Sequence, residues 1–240
     1  MSKYALYAVG EVVLVVVGIL IALQINNANE QRLQREREVG FLENLRDDSE
    51  INLAELNKFL VTRKARIASA EQMVRYFEGE PVEKLEDFVY HNIHVQLWQK
   101  FYQNNNTYQE LVNSGNLGIL SNAAIKRELL DLELLYKKMK SDEDHMRFDF
   151  EGYVFTPFFD TIDLDPMTKS FVYTATGGQS GAQVPISRED VDKLLKDMRF
   201  KNGFVLAIYM NNVINAKFEE LITRTEHLVE LINNEIVGTP

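Results

Sequence analysis

The chain has 240 residues, a formal net charge of −10 and no cysteine. Nucleic-acid binding requires a basic surface, so the acidic balance argues against a nucleic-acid partner. Without cysteine the chain has no disulfide, no thiol nucleophile and no cysteine-bound zinc. Charged residues make up 26% of the composition and apolar residues 45%, which is typical of a folded domain rather than a disordered chain.

The N-terminal run from Tyr4 to Ile25 is apolar except for one carboxylate, Glu11. As a helix this run spans about 33 Å, which is enough to cross the hydrocarbon core of a bilayer. A secretory signal peptide is the alternative, but the run is long for one and no small-residue cleavage site follows it. We therefore predict a retained transmembrane helix over residues 1–27, with the lipid bilayer around it.

One stripe of this helix collects the carboxylate and several small residues. A spacing of three and four places the following positions on one face: Ala8, Glu11, Val15, Gly18, Ala22 and Ile25. Small residues allow helix backbones to approach closely in membranes, and a carboxylate is costly against lipid. The stripe therefore predicts a homo-oligomer, in which these residues form the helix-association surface or line a pore.

Two interpretations of Glu11 stay open at this stage. In the first, Glu11 lies near the membrane end or is protonated and hydrogen-bonded between helices. In the second, a ring of Glu11 side chains lines an ion path, as acidic rings do in cation channels. The leading functional prediction is a non-enzymatic, oligomeric membrane protein, with an ion-conducting pore as its stronger form. The alternative is a membrane-tethered ligand-sensing or scaffold module that acts through an unidentified membrane or extracytoplasmic partner.

Helical periodicity dominates the rest of the chain. The predicted fold class is therefore all-α, an N-terminal transmembrane helix followed by a helical bundle domain. Residues 28–80 are predicted to form a helical stalk and the first long helix, which ends at the Gly79-Glu80-Pro81 turn. Residues 81–240 form the remainder of the domain, with a loop-rich insertion at about 156–187 and a brief strand at 170–174. The breaking residues that indicate the insertion are Pro157, Pro166, Pro185 and the glycine-rich run at 177–181.

Capping and breaking residues predict the other helix boundaries. Val82–Gln103 is predicted as one helix, and Thr107 as the N-cap of a short helix that ends at Ser114-Gly115-Asn116. The remaining predictions are helices over 123–144 and 145–155, the second ending before Pro157, a helix capped by Ser187 and ending at about Arg199, and a last helix over 204–236 after a joint at Lys201-Asn202-Gly203.

No motif for catalysis or for a cofactor is present in the sequence. His91 and His94 stand at i and i+3, but two ligands are too few for a metal site, and surface histidines are the default. Three aspartates have a loose calcium-like spacing without the glycine and glutamate of an EF-hand: Asp160, Asp163 and Asp165. We predict no enzyme activity, no cofactor and no metal, and we expect Trp98 to be a core or partner contact.

Two stretches carry a resemblance. The first begins at Lys3-Tyr4, includes Gly10-Glu11 and continues through Val17-Gly18-Ile19-Leu20-Ile21-Ala22-Leu23-Gln24-Ile25-Asn26-Asn27; the second is Tyr108-Gln109-Glu110-Leu111-Val112-Asn113-Ser114-Gly115-Asn116-Leu117. Together they resemble an uncharacterised family of single-pass, membrane-anchored proteins common in Bacteroidota. The resemblance implies a bacterial inner-membrane location with an extracytoplasmic domain, and it implies no activity. The arginines that follow the helix favour the opposite orientation: Arg32, Arg35, Arg37 and Arg46.

Overall fold

A computed structural model describes residues 3–184 and 186–238. Over these residues the chain is helical and contains no strand, which confirms the all-α class. The helices are α1 (Lys3–Phe77), α2 (Leu85–Gln96), α3 (Asn106–Asn113), α4 (Ala123–Phe150), α5 (Thr156–Thr161), α6 (Leu164–Ala175), α7 (Arg188–Leu194) and α8 (Met198–Val237), with a 3₁₀ turn at Asn116–Ile119 and a π-helical turn at Glu151–Phe155.

The chain forms two compact units from separated segments. Unit 1 comprises the chain up to Glu50, residues Asn104–Leu129 and the chain from Leu228. Unit 2 comprises Ile51–Gln103 and Leu130–His227. The helices α1, α4 and α8 each contribute one part to each unit.

Unit 1 has an aliphatic core that begins well after the apolar N-terminal run. Every described side chain from residue 9 to residue 34 is exposed, and burial starts with Glu38 and Leu42. The apolar side chains buried in this unit include Leu42, Leu45, Leu111, Leu120, Ile125, Leu228 and Ile232. Helices α1, α3, α4 and α8 therefore each bury one apolar face, as their sequence periodicity requires.

Unit 2 has an aromatic core. The ring of Phe101 lies edge-on to Phe59 and Phe218, with centroids 5.4 and 5.6 Å apart, and stacks on Tyr136 at 5.8 Å. A second cluster surrounds Phe200 and joins the end of α1 to α5 and α8. Such edge-to-face pairs add stability beyond the area that they bury.

The predicted end of the first long helix is confirmed, and the predicted length of the second helix is wrong. Helix α1 ends at Phe77, and Gly79 adopts φ 104°, a left-handed conformation suited to glycine. Helix α2 ends at Gln96 instead of Gln103. Beyond the end of α2, the Phe101 N–H finds its hydrogen-bond acceptor in the Glu143 carboxylate at 3.2 Å and does not need a helical carbonyl.

The predicted N-cap of the short helix is also wrong. Helix α3 begins at Asn106, and its N-cap residue Asn105 makes no side-chain capping bond. The Thr107 N–H instead donates to the Asp48 carboxylate on α1 at 3.0 Å. The predicted end is confirmed, because Ser114 is the C-cap and Gly115 has φ 72°.

Three boundaries in the second half of the chain require correction. Helix α4 runs without a break past residue 144 to Phe150, so the two predicted helices over 123–155 are one helix followed by a π-helical turn. Pro157 does not terminate this region but stands in the first turn of α5, where its missing N–H removes no helical hydrogen bond. The predicted joint at 201–203 lies inside α8.

The loop and strand predicted between 156 and 187 are mostly helix. Helices α5 and α6 occupy 156–161 and 164–175, and the supposed strand at 170–174 lies within α6. Asp163 caps α6 by accepting from the Asp165 N–H, which starts a helix two residues before Pro166. Ser187 caps α7 as predicted, although α7 ends at Leu194 and not at about Arg199. The predicted break at Pro185 lies outside the described residues.

Candidate functional site

The predicted association stripe lies on the exposed N-terminal part of α1. Glu11, Val15, Gly18, Ala22 and Ile25 all face solvent in the single chain. A Cβ atom added at Gly18 would meet nothing within 4 Å. The described stripe residues thus share a face by helical spacing, and that face is exposed. The side chain of Ala8 lies outside the described part of the structure.

An ion-pair cluster in unit 1 stands where the exposed part of α1 ends. The Arg35 guanidinium contacts the Glu38 carboxylate at 2.7 Å and the Glu235 carboxylate at 3.0 Å. Glu38 also accepts from the Ser121 N–H, and Asn122 donates to Glu235 at 2.7 Å. These bonds tie α1 to the beginning of α4 and the end of α8. Burial alone would raise the pKa of Glu38, but the hydrogen bonds from Ser121 and Arg35 outweigh it, and the pKa is lowered.

Unit 2 contains a fully buried ion pair between α1 and α4. Arg63 donates to Glu143, and both side chains are 0% exposed. Arg63 also donates to the Asn211 side-chain oxygen at 3.3 Å and lies 5.1 Å from the centre of the Phe218 ring. Burial lowers the pKa of Arg63 and raises that of Glu143, against the attraction between the two groups. Breaking such a pair leaves an uncompensated buried charge, so we assign it a structural role.

A second buried arginine lies one helical turn further along α1. Arg66 is 4% exposed and donates to the Gln99 side-chain oxygen at 3.3 Å. Beside it, the Ser69 hydroxyl contacts Nδ1 of His94 at 2.8 Å and Nδ1 of His91 at 3.2 Å. The two histidines are half-buried and not simply on the surface. No group of three metal-ligating side chains occurs among the described residues.

Sequence reasoning missed both arginines. The sequence does contain a pattern that indicates their burial. Arg63 and Arg66 stand on the apolar face of α1, at a spacing of three and four from its apolar residues. These residues are Leu56, Phe59 and Ala70. A charged residue in register with an apolar face needs a partner from another element. The partner of Arg63, Glu143, is 80 residues away, and no local pattern identifies it.

A cleft of about 340 Å³ opens in unit 2 beside the end of α2. Its lining combines aromatic and aliphatic side chains with two polar groups: Gln96, Leu97, Trp98, Arg147, Phe150 and Phe155. The Arg147 guanidinium lies 5.2 Å from the centre of the Trp98 ring and donates to Glu151 at 2.7 Å. The buried indole N–H of Trp98 meets no acceptor in the described chain. The π-helical turn supplies Phe155, and such turns occur often at functional sites.

Residues 11–149 match a family described as a family of unknown function, DUF6090. This range is more than half of the chain. The chain belongs to the DUF6090 family. The predicted resemblance to an uncharacterised family is confirmed to that extent.

The DUF6090 region begins at Glu11 and ends one residue before Phe150. It therefore contains most of the predicted stripe, the Arg63–Glu143 pair and four of the six cleft residues, Trp98 and Arg147 among them. The chain that follows, which forms most of the second half of unit 2, lies outside the match. No match to the chain is found among curated proteins or solved structures.

Proposed function

We propose that this DUF6090 protein is a non-enzymatic, single-pass membrane protein that self-associates through its N-terminal helix. One observation carries the proposal: the most apolar window of α1 is 0% buried. Its large apolar side chains, from Val9 to Ile25, are 45% to 75% exposed. Leaving so continuous an apolar surface in water is unfavourable, and a bilayer removes that cost.

The course of α1 supports a membrane anchor over the two other kinds of apolar helix. The core helix of a soluble protein would be mostly buried, and this window is not. A cleaved signal sequence would be separable from the folded part, but α1 continues without a break beyond Ile25 to the buried Leu42 and Leu45. The proposed span therefore runs directly into unit 1.

Self-association follows from the chemistry of the stripe. Glu11 is the only acidic or basic residue between Tyr4 and Ile25, and a carboxylate facing lipid costs a few kcal/mol, of the order of 3. Gly18 and Ala22 have the small-xxx-small spacing that brings two helix backbones together. When copies of the stripe meet, they remove Glu11 from lipid and bury the glycine face in one step.

Disulfide crosslinking tests this association directly, because the chain has no cysteine of its own. Single substitutions Gly18→Cys and Ala22→Cys lie on the stripe, and Val13→Cys and Leu20→Cys lie on the opposite side as matched controls. Oxidation of native membranes should give crosslinked dimers from the stripe positions only. Equal crosslinking at all four positions, or a strictly monomeric protein in mild detergent, would overturn the proposal.

Ion conduction is the stronger form of the same proposal. A closed ring of stripes places several Glu11 carboxylates around one axis, where they favour cations. The test is the conductance of the purified protein in planar bilayers, compared with Glu11→Gln. A cation current that Glu11→Gln abolishes supports a pore, whereas crosslinked oligomers that carry no current reduce the stripe to an association surface.

A membrane-tethered ligand-binding module is the second candidate, and the cleft in unit 2 favours it. Aromatic walls and the Arg147 guanidinium suit a small aromatic carboxylate. Trp98 is the only tryptophan in the chain, so its fluorescence reports on the cleft alone. Benzoate should change this emission, neutral benzyl alcohol should do so less, and Arg147→Gln should remove the difference.

The control for this titration is Arg127→Gln, which changes an exposed arginine that lies on the same helix and does not line the cleft. An unchanged Trp98 emission over the whole benzoate titration would exclude this candidate. A change that persists in Arg147→Gln would show that the aromatic walls, and not the guanidinium, select the ligand.

The proposed location is the bacterial inner membrane, with the large C-terminal part outside the cytoplasm. The apolar helix supports the membrane location. The orientation follows the resemblance to membrane-anchored relatives, against the arginines that follow the helix.

A further inference from the structure

The two buried arginines of α1 have unequal partners. Arg63 has a carboxylate, Glu143, as its counterion. Arg66 is 4% exposed, yet its only hydrogen-bond acceptor within the described chain is the neutral Gln99 amide at 3.3 Å, and its Nε has no acceptor. No described carboxylate pairs with it. A buried charge without a counterion is costly, so a missing anion is the simplest completion of this arrangement.

The surroundings of Arg66 are uniformly favourable to an anion. Burial, helped by repulsion from Arg63, lowers the pKa of Arg66 to about 10, so Arg66 stays protonated at neutral pH. The positive field of Arg66 also acts on His94. Within the same group, the Ser69 hydroxyl and the Gln99 side-chain amide are neutral donors. This combination of a guanidinium, a hydroxyl and an amide is typical of oxyanion sites.

We propose that Arg66, Ser69, His94 and Gln99 form a binding site for a small oxyanion of the phosphate class. Gln99 provides the access route. It is exposed and lies in the non-helical segment after α2, so its side-chain amide can turn its oxygen away from Arg66 and present its N–H groups to an anion without unfolding a helix. An entering phosphate then replaces one weak neutral acceptor with a charged one whose oxygens can accept hydrogen bonds from two guanidinium N–H groups.

Thermal unfolding of the full chain in detergent, with and without inorganic phosphate, tests this site. Phosphate should raise the melting temperature above the value in sodium chloride of equal ionic strength, because it binds the folded state only. Arg66→Gln should abolish this rise or weaken the apparent affinity at least about tenfold. Arg75→Gln is the matched control, an exposed arginine on the same helix, and it should keep the full response.

A second measurement keeps the test decisive if the variant changes stability. Without phosphate, Arg66→Gln should be at least as stable as the wild type, because it removes an uncompensated charge. A large loss of stability in phosphate-free buffer would instead make Arg66 a structural donor to Gln99 and overturn the proposal. An equal phosphate response in wild type and Arg66→Gln would overturn it as well.

The oxyanion could be free phosphate or the headgroup of a lipid, and one comparison separates the two sources. The same melting experiment is repeated in nanodiscs of neutral and of anionic phospholipid. An Arg66-dependent rise that requires added phosphate identifies the free ion. A rise already present in anionic discs without phosphate identifies a headgroup, and both results support the site.

Discussion

Asp48 links two segments of unit 1 that are distant in sequence. Its carboxylate accepts from the Thr107 N–H at 3.0 Å and from the Asn104 side-chain amide at 2.9 Å. Asp48 therefore accepts a hydrogen bond from a backbone N–H in the first turn of α3, which is the role that an N-cap side chain usually has. We expect Asp48→Ala to lower the free energy of unfolding by about 1 kcal/mol, measured by circular-dichroism melting.

The neighbouring residue provides the control for this prediction. Asp47 is exposed and pairs with its neighbour Arg46 at 3.3 Å, a surface ion pair, so Asp47→Ala should change stability little. Equal effects of the two substitutions would show that loss of negative charge, and not loss of the cap, is what matters.

The buried carboxylate of Glu38 makes the stability of unit 1 depend on pH. Its pKa in the folded chain is below the ordinary value of 4.5, so the unfolded chain binds the proton more readily. The contribution of the ionised Glu38 carboxylate to folding stability is therefore fully present above about pH 4.5. It is lost as the pH falls through the pKa that Glu38 has in the folded chain. Glu38→Gln should lower the free energy of unfolding by about 1–3 kcal/mol at neutral pH, and by progressively less as the pH falls below about 4.5.

Urea titrations of both proteins at neutral and acidic pH measure this difference. Glu36→Gln is the control, because Glu36 is exposed and pairs with the exposed Arg32. A Glu38→Gln deficit that stays constant down to about pH 3 would contradict the pKa direction and assign the effect to packing.

Whether a side-chain contact could be predicted depends on how far apart its two residues lie in the sequence. The Ser187 cap was predicted because donor and acceptor lie within four residues of each other. The bonds from Thr107 to Asp48 and from Arg63 to Glu143 span 59 and 80 residues, and no local pattern specifies them. Thr107 therefore looked like a cap, and Arg66 was not recognised as a site residue.

At the scale of the helices, Gly203 shows how a breaking residue can serve packing instead. It is buried within α8, and a Cβ atom there would lie 2.6 Å from Val154 and 2.8 Å from the Tyr153 carbonyl oxygen. Glycine thus lets α8 lie directly against the π-helical turn. We expect Gly203→Ala to destabilise the chain by about 1–3 kcal/mol in thermal or urea unfolding.

Gly40 is the matched control, because it too lies inside a helix but has nothing within 4 Å of an added Cβ atom. Gly40→Ala should therefore increase stability by up to about 1 kcal/mol through helix propensity. If both substitutions stabilise, the close approach at Gly203 is not rigid and the turn shifts to admit a methyl group.

The helix boundaries explain which elements could be predicted. Long amphipathic helices were predicted because their apolar residues recur continuously at helical spacing. The end of α1 was predicted because Gly79 and Pro81 are both helix-breaking residues. The segment 156–175 was predicted as a loop because it contains Pro157 and Pro166 and is followed by the glycine-rich run at 177–181. Its helices begin at Thr156 and Leu164, so that each proline stands in a first turn, where proline is tolerated.

For the whole molecule, the order of segments along the chain does not reveal the two units. Each unit combines segments that are not consecutive in the chain, because α1, α4 and α8 each contribute to both. Sequence reasoning divides a chain into consecutive pieces, so it yielded residues 1–27, 28–80 and 81–240. That division, like the self-association of the first helix, stays a prediction.

Membrane orientation is the remaining property of the whole molecule, and two arguments about it conflict. Counting lysine and arginine near the helix ends places the C-terminal part in the cytoplasm. Glu36 and Glu38 pair with Arg32 and Arg35, but acidic residues count little in this rule, so the pairing does not remove the conflict. We keep the orientation that the resemblance of the N-terminal motif implies, with the large part of the chain outside the cytoplasm, as a prediction.

Cysteine labelling decides between these orientations without background, because the chain contains no cysteine. Glu55→Cys places a thiol at an exposed position in unit 2, and Ser2→Cys places one before the apolar helix. In intact cells with a permeabilised outer membrane, a membrane-impermeant maleimide should label Glu55→Cys and spare Ser2→Cys until the inner membrane is broken. The reverse pattern would put the large part in the cytoplasm. Labelling of both thiols in intact cells would mean that the helix does not span the bilayer, and the proposed anchor would then be lost together with the orientation.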